Sequence, residues 1–125
     1  MDLSGKKALI ADQDANMRRI LRVFLEQEDI VVCEAATAVE AQAVLASENP
    51  HIIILDLLLD GREGVVLCER IKKDPATRKI VVVFFTEVSA QGDIKAAEQA
   101  GADLYLIKPV GLNDILVKIR EINPV

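Results

Sequence analysis

The sequence is poor in aromatic residues and in cysteine. Aromatic side chains make up 3% of the 125 residues, with one Tyr, three Phe and no Trp. Ile, Val, Leu and Ala must therefore form most of the core. The two cysteines, Cys33 and Cys68, are too few for a disulfide framework, and both have apolar sequence neighbours. We interpret them as buried free thiols in a reducing compartment.

The sequence also lacks a long apolar run and an excess of positive charge. No segment approaches the roughly 18 apolar residues of a membrane span, and the polar N-terminus has no signal-peptide core. We therefore expect a cytoplasmic protein without a membrane partner. The net charge of −5 argues against direct nucleic-acid binding, which requires a basic surface. Arg18, Arg19 and Arg22 cluster, and we interpret them as the solvated face of a helix.

Short apolar runs alternate with helical patterns along the whole chain, and the length fits a single domain over residues 1–125. Continuous apolarity is typical of strands that are buried on both faces, as in a parallel sheet covered by helices. The predicted strands are Ala8–Ala11, Ile30–Cys33, Ile52–Leu55, Ile80–Phe85 and Leu104–Ile107. Right-handed crossovers then give an α/β fold with three α/β/α layers.

The segments between the runs carry the helical period. The first helix has an apolar stripe that includes Ile20 and Leu21, and the third has one from Gly64 to Ile71. Thr37 and Glu40 form a capping box for the second helix. The fourth helix is only weakly striped and should end near Gly101, and the fifth is striped from Leu112 to Ile122.

Polar side chains follow four of the predicted strands. Asp12, Gln13 and Asp14 follow the first, Asp56 the third, Thr86 the fourth and Lys108 the fifth. In open parallel sheets the working site lies beyond the carboxyl ends of the strands. Each residue alone has a structural explanation, such as a helix cap or a turn. The ordered set instead indicates phosphoryl transfer to a carboxylate, stabilised by a hard divalent ion, a lysine and a hydroxyl.

This ordered set resembles the receiver domains of bacterial two-component response regulators, including the stand-alone chemotaxis regulator. The resemblance covers the whole chain. The segments that carry it are residues 11–14 with 17–20, residues 54–57 leading to Gly64, residues 84–86, residues 100–102, and Tyr105 with residues 106–109. It implies a flavodoxin-like, doubly wound sheet of five parallel strands in the order 2-1-3-4-5 with five helices.

The resemblance also implies roles for individual residues. Asp56 resembles the phosphoacceptor, supplied by a phosphohistidine of a sensor histidine kinase or a histidine phosphotransfer domain. Asp12, Asp56 and the backbone carbonyl of Leu58 resemble the ligands of Mg²⁺ or Mn²⁺. Thr86 and Tyr105 resemble the switch pair, and Lys108 resembles the lysine that pairs with the phosphoryl group.

Further expectations concern the readout surface. The Lys108–Pro109 peptide bond is expected to be cis. The face of the fourth helix, fifth strand and fifth helix would reach a downstream effector protein or domain. The same fourth-helix face could also form a homodimer. The protein would not be an enzyme beyond its own phosphorylation and dephosphorylation.

Two positions depart from the family pattern. Gln13 replaces a usual second acid and carries no charge, so metal affinity should fall. Asp14 either compensates as a further ligand or only caps the first helix. Glu87 stands where the family has a small residue. It either points into solvent or pairs with Lys108 and partly imitates a phosphoryl group. Asp60 replaces a frequent proline and should have little effect on the chemistry, and His51 should lie on the surface.

Three other functions remain open at this point. A pseudo-receiver would use the same fold as an interaction platform without phosphorylation, an alternative that Gln13 and Glu87 favour. A haloacid-dehalogenase-like phosphatase would use Asp12 as its nucleophile, but it needs more chain and a late acidic pair. A flavodoxin-like flavin carrier would need a hydroxyl- and glycine-rich loop after the first strand.

Overall fold

The computed structural model describes residues 1–122, in which five strands alternate with five helices. The strands are β1 (Lys7–Ala11), β2 (Val31–Ala35), β3 (Ile52–Leu55), β4 (Val81–Thr86) and β5 (Leu104–Ile107). The helices are α1 (Ala15–Glu26), α2 (Ala38–Glu48), α3 (Gly64–Lys73), α4 (Gln91–Gln99) and α5 (Leu112–Arg120).

All strand pairs are parallel, and the sheet order β2-β1-β3-β4-β5 confirms the predicted doubly wound topology. Successive side chains of the central strands alternate between two apolar layers. Leu9, Ile53 and Phe84 belong to one layer, with buried residues of α2, α3 and α4. Ile10 and Ile54 belong to the other, with buried residues of α1 and α5. The fold therefore has the three expected layers.

The predicted helix faces are confirmed in α3 and α5 but only partly in α1. Gly64, Leu67, Cys68 and Ile71 of α3 are buried, as are Ile115, Leu116 and Ile119 of α5. In α1, Leu21 and Leu25 are buried, whereas the prediction for Ile20 was wrong, because its side chain is 49% exposed. Ile20 lies at the rim of the stripe, beside a groove that Pro109 and Leu112 also line.

The second helix begins with the predicted capping box. Thr37 Oγ1 accepts a hydrogen bond from the Glu40 amide at 3.1 Å, and Glu40 Oε1 accepts one from the Ala36 amide at 3.0 Å. The Glu40 carboxylate thus satisfies the donor one residue before the N-cap. Gly101 follows α4 with φ +101°, a conformation that favours glycine, so the predicted helix end is also confirmed.

Strand β2 differs from the prediction at both ends, and it lies at the edge of the sheet. It runs from Val31 to Ala35 and includes the charged Glu34, and Cys33 is partly exposed rather than buried. Cys68 is fully buried, and this burial raises the pKa of its thiol to about 12. Both cysteines are free. Among residues 1–122, no helix combines the length and apolarity that crossing a membrane would require.

Candidate functional site

Four predicted site residues meet at the carboxyl edge of the sheet. Asp12 follows β1, Asp56 follows β3, Thr86 ends β4, and Lys108 follows β5. The order of the strands brings them together, since β1, β3, β4 and β5 are successive neighbours in the sheet. The convergence that the sequence predicted is therefore present as side-chain contacts.

Lys108 connects the two carboxylates. Its Nζ donates to Asp12 Oδ2 at 3.0 Å and to Asp56 Oδ2 at 3.1 Å, and the three side chains are only 5–11% exposed. Nζ also lies 5.2 Å from the ring centroid of Phe85. Burial alone would lower the pKa of Lys108, but the hydrogen bonds and charges of Asp12 and Asp56 outweigh it and raise that pKa. The lysine is therefore charged and held between two anions.

The remaining oxygen of Asp56 is fixed by two donors. Asp56 Oδ1 accepts from the Leu58 amide at 2.9 Å and from Thr86 Oγ1 at 2.7 Å. The start of α3 packs closely beneath this segment. A Cβ on Gly64 would lie 2.7 Å from the Asp56 carbonyl oxygen and 2.7 Å from Leu57 Cα, so glycine is required there. Each carboxylate oxygen of Asp56 thus has a defined partner.

The turn after β1 separates the roles of its three polar residues. Asp12 is buried, and its Oδ1 accepts from the Asp14 amide at 2.9 Å. Asp14 is the N-cap of α1, because its side chain accepts from the amides of Asn16 and Met17. Gln13 is exposed. Of the two explanations for Asp14, the helix cap is the one that the hydrogen bonds support.

Tyr105 lies on β5, next to β4, and contacts the segment that follows β4. Its hydroxyl donates to the Val88 carbonyl at 2.7 Å, and its ring stacks on Phe84 with centroids 5.7 Å apart. Burial raises the pKa of Tyr105, and the negative charges of Asp93 and Asp56 add to this increase. The Lys108–Pro109 peptide bond is cis, as predicted.

Glu87 is not part of this contact network. Within residues 1–122, the ion pairs of Lys108 are with Asp12 and Asp56, so of the two alternatives for Glu87 the pair with Lys108 is contradicted. Glu87 is exposed. The reason is geometric, because the ammonium group is already placed between two carboxylates deeper in the site.

The acidic cluster is small. In the part of the chain that the structure describes, no group of three or more His, Cys, Asp or Glu side chains gathers where it could hold a metal ion. Asp12 and Asp56 are the acids that meet, with Lys108 between them. Their formal charges and that of the lysine add to −1, which leaves a modest attraction for a divalent cation.

Sequence reasoning missed three contacts around the site. Arg18 and Arg22 are not simply solvated, because Glu34 of β2 pairs with both of them. Asp60 lies four positions after Asp56, and its Oδ2 accepts from the Ala38 amide at the start of α2 at 2.7 Å. The available sequence signal for the two arginine contacts was Glu34, a charged residue in an otherwise apolar strand. His51 is exposed as predicted, and its Nδ1 accepts from the Lys7 amide.

The fold and the site at the carboxyl edge of the sheet together define a doubly wound α/β domain in which a lysine joins two carboxylates. The chain belongs to the response regulator receiver domain family, whose model matches residues 8–120. It is 29% identical over 116 residues to the transcriptional regulatory protein ResD of Bacillus subtilis, and 30% identical over 118 residues to the phosphate regulon transcriptional regulatory protein PhoB of Pseudomonas aeruginosa. These matches cover 93% and 94% of this chain.

The solved structures agree with the sequence relatives. A CheY-like response regulator receiver domain protein from Methanospirillum hungatei JF-1 superposes with a TM-score of 0.86 at 32% identity, covering 93% of this chain and 91% of that one. The chain spans about half the length of the two curated relatives, 47% and 52%. Receiver domains of response regulators are signalling domains that work with histidine kinases and effector domains. This membership removes the support for the phosphatase and flavin-carrier alternatives.

Proposed function

We propose that Asp56 accepts a phosphoryl group from a phosphohistidine of a sensor histidine kinase or a histidine phosphotransfer domain. One observation carries the proposal: the Lys108 ammonium joins the Asp12 and Asp56 carboxylates at 3.0 and 3.1 Å, while Thr86 donates to the other oxygen of Asp56 at 2.7 Å. A nucleophilic carboxylate, a fixed cation and a hydroxyl donor are the groups that such a transfer requires.

In the transfer, an oxygen of Asp56 forms a bond to phosphorus as the bond from phosphorus to the donor imidazole nitrogen breaks. The released imidazole keeps the electron pair of that bond and takes up a proton. Lys108 and Thr86 now face Asp56 itself, and they can donate to phosphoryl oxygens once the group is attached. The protein's contribution is positioning and charge stabilisation, which is the main demand of phosphoryl transfer.

The residues present fit a divalent ion of the Mg²⁺ or Mn²⁺ type, though with few charges. The Asp12 and Asp56 carboxylates and the Leu58 carbonyl supply oxygen ligands, which hard cations prefer. Gln13 is neutral and exposed, so we place it and Asp14 outside the ligand set. When bound, the ion would neutralise charge on the phosphoryl oxygens. The small acidic cluster predicts weaker metal binding than a site with a further acid would have.

Thr86 and Tyr105 connect the phosphorylated site to the surface of the protein. Thr86 contacts Asp56, and Tyr105 contacts the Val88 carbonyl two residues after Thr86. A shift of this segment would therefore move both α4 and β5. We infer that the surface of α4, β5 and α5 transmits the phosphorylation state to an effector or to a second copy of the chain, in the cytoplasm. We also infer that Asp56 slowly loses the phosphoryl group again by hydrolysis.

The test is phosphorylation by a small donor. Purified protein is incubated with Mg²⁺ and acetyl phosphate, and its intact mass is followed beside Asp56→Asn. The proposal predicts one added phosphoryl group that the variant lacks and that EDTA prevents. Glu87→Ala should change the rate less than about twofold, because Glu87 makes no ion pair with Lys108 within residues 1–122. Gln13→Asp should lower the Mg²⁺ concentration that is needed.

The pseudo-receiver remains the second candidate, and the two-acid cluster is the observation that favours it. It predicts a folded protein without an adduct at any Mg²⁺ concentration. If Gln13→Asp then restored the adduct, the missing acid would be identified as the reason.

A further inference from the structure

Arg18 lies on the first turns of α1 and reaches back to the end of β1. Its Nη1 donates to the backbone carbonyl of Asp12 at 2.6 Å. The neighbouring peptide is held as well, because the Asp12 amide donates to the Ala35 carbonyl at 3.1 Å. The backbone of Asp12 is therefore fixed on both sides of its Cα, by β2 on one side and by a side chain of α1 on the other.

Glu34 of β2 holds the Arg18 guanidinium in this orientation. Arg18 Nε donates to Glu34 Oε1 at 3.1 Å, and Arg22 Nε donates to the other oxygen, Oε2. The Arg18 and Glu34 side chains are 17% and 29% exposed, so the pair is largely shielded from water. Because Arg22 engages the second oxygen, the Glu34 carboxylate is itself held in place, and it holds the Arg18 guanidinium through one charge-assisted hydrogen bond.

We propose that Arg18, held by Glu34, is a positioning residue that orients the Asp12 carboxylate toward Asp56 and Lys108. Its consequence for metal binding and phosphoryl transfer rests on the proposed function. The orientation of Asp12 is important in this chain in particular, because Gln13 supplies no second charge and Asp14 caps α1. In a site with one acid beside the acceptor, metal binding and phosphoryl transfer depend strongly on the orientation of that acid.

The sign of the effect separates positioning from charge. Removing the cation of Arg18 from beside an acidic site would, by electrostatics alone, tighten Mg²⁺ binding. Loss of positioning weakens it, and loss of an outer partner of a metal ligand costs roughly tenfold in affinity at the low end of its range. Arg18→Ala is therefore expected to raise the Kd for Mg²⁺ about tenfold.

Arg19→Ala is the matched control. Arg19 is the next residue of the same helix, is exposed, and makes no ion pair within residues 1–122. The Arg19→Ala variant loses the same charge, but Arg19 does not touch Asp12. Its Kd for Mg²⁺ should therefore change less than about twofold. Calorimetric titration of the two variants and the wild type with Mg²⁺ gives the comparison.

A second readout needs no metal. The Asp14 amide donates to Asp12 Oδ1 at 2.9 Å, so its hydrogen exchange in metal-free protein reports the orientation of that carboxylate. Arg18→Ala should speed this exchange roughly tenfold while the core strands keep their protection, and Arg19→Ala should not. Glu34→Gln should act in the same direction, and the double variant should be no worse than Arg18→Ala alone, since the two residues act as one unit.

The outcomes are distinct. Unchanged Asp14 exchange in Arg18→Ala overturns the positioning role. If the wild type binds Mg²⁺, an affinity of Arg18→Ala equal to or tighter than that of Arg19→Ala overturns it as well. Faster Asp14 exchange in a protein whose wild type binds no Mg²⁺ supports the positioning of Asp12 and contradicts the proposed function instead.

Discussion

Replacing Lys108 with Met tests the centre of the site, because the side chain is of similar length and carries no charge. The structure gives Lys108 one buried and one largely buried partner, with side-chain exposures of 5% for Asp12 and 11% for Asp56. Removing one partner from a buried ionic group costs about 3–5 kcal/mol, and the residual exposure here favours the lower end, about 3 kcal/mol. At roughly 4 °C per kcal/mol for a domain of this size, the midpoint should fall by about 12 °C at pH 7.

The loss should depend on pH and on divalent cations. Without the ammonium, Asp12 and Asp56 face each other as like charges, so the folded variant binds a proton more readily than the unfolded chain does. Its stability then rises relative to wild type as the pH falls toward 4. Mg²⁺ can replace the missing cation, so it should raise the midpoint of Lys108→Met more than that of wild type.

Thermal denaturation at pH 7 and pH 4, with and without Mg²⁺, measures these effects. Lys118→Met is the matched control, since Lys118 is exposed on α5 and makes no ion pair in the described part of the chain. A loss of equal size at both pH values, with no response to Mg²⁺, would refute the account, because it would mean that Lys108 acts by packing alone.

In wild type, the raised pKa of Lys108 keeps its contribution to stability complete below about pH 10.5 and removes that contribution at higher pH.

Three further predictions concern the surroundings of the site. Gly64→Ala should lower stability by about 2 kcal/mol and slow phosphorylation, because its Cβ would press on the backbone of Asp56. Urea denaturation and the mass assay check this prediction. A neutral effect would show that the start of α3 and the Asp56 segment separate easily. Asp60→Ala should cost about 1 kcal/mol, since it removes the acceptor for the Ala38 amide; an unchanged urea midpoint would mean that water replaces it. Because burial raises the pKa of Cys68 to about 12, the unfolded chain ionises first as the pH rises above 9, so stability should fall between pH 9 and 12. Cys68→Ala should flatten that fall, and an unaltered slope would count against the buried thiol as its cause.

The sheet could be predicted from the sequence because its strands are buried on both faces. Runs such as Ile52–Leu55 are apolar at every position, and the observed strand β3 has the same bounds. Local periodicity could not place the limit of a helix face: Ile20 belongs to the predicted apolar stripe of the first helix, although it is half exposed. The charged Glu34 ended the predicted second strand too early, because a sequence pattern does not show that α1 supplies two arginines to it.

The candidate site also contains residues that could be predicted from the sequence and contacts that could not. Asp12, Asp56, Thr86 and Lys108 could be brought together from strand order, since each follows or ends a predicted strand. Contacts made by loops could not be found, because their geometry depends on the fold. Asp60 has φ +50° in a turn, and its partner at the start of α2 is 22 residues away. The choice between the two alternatives for Glu87 also depended on the fold, because burial gives Lys108 the carboxylates of Asp12 and Asp56 as partners.

The most direct measurement is to locate the phosphoryl group. Protein treated with acetyl phosphate and Mg²⁺ is reduced with borohydride, which converts an aspartyl phosphate to homoserine, and its peptides are sequenced by mass spectrometry. The account predicts homoserine at position 56, and none there in Lys108→Met treated under the same conditions. Homoserine at position 12, or at no position in a folded protein, would contradict the claim that Asp56 is the phosphoacceptor.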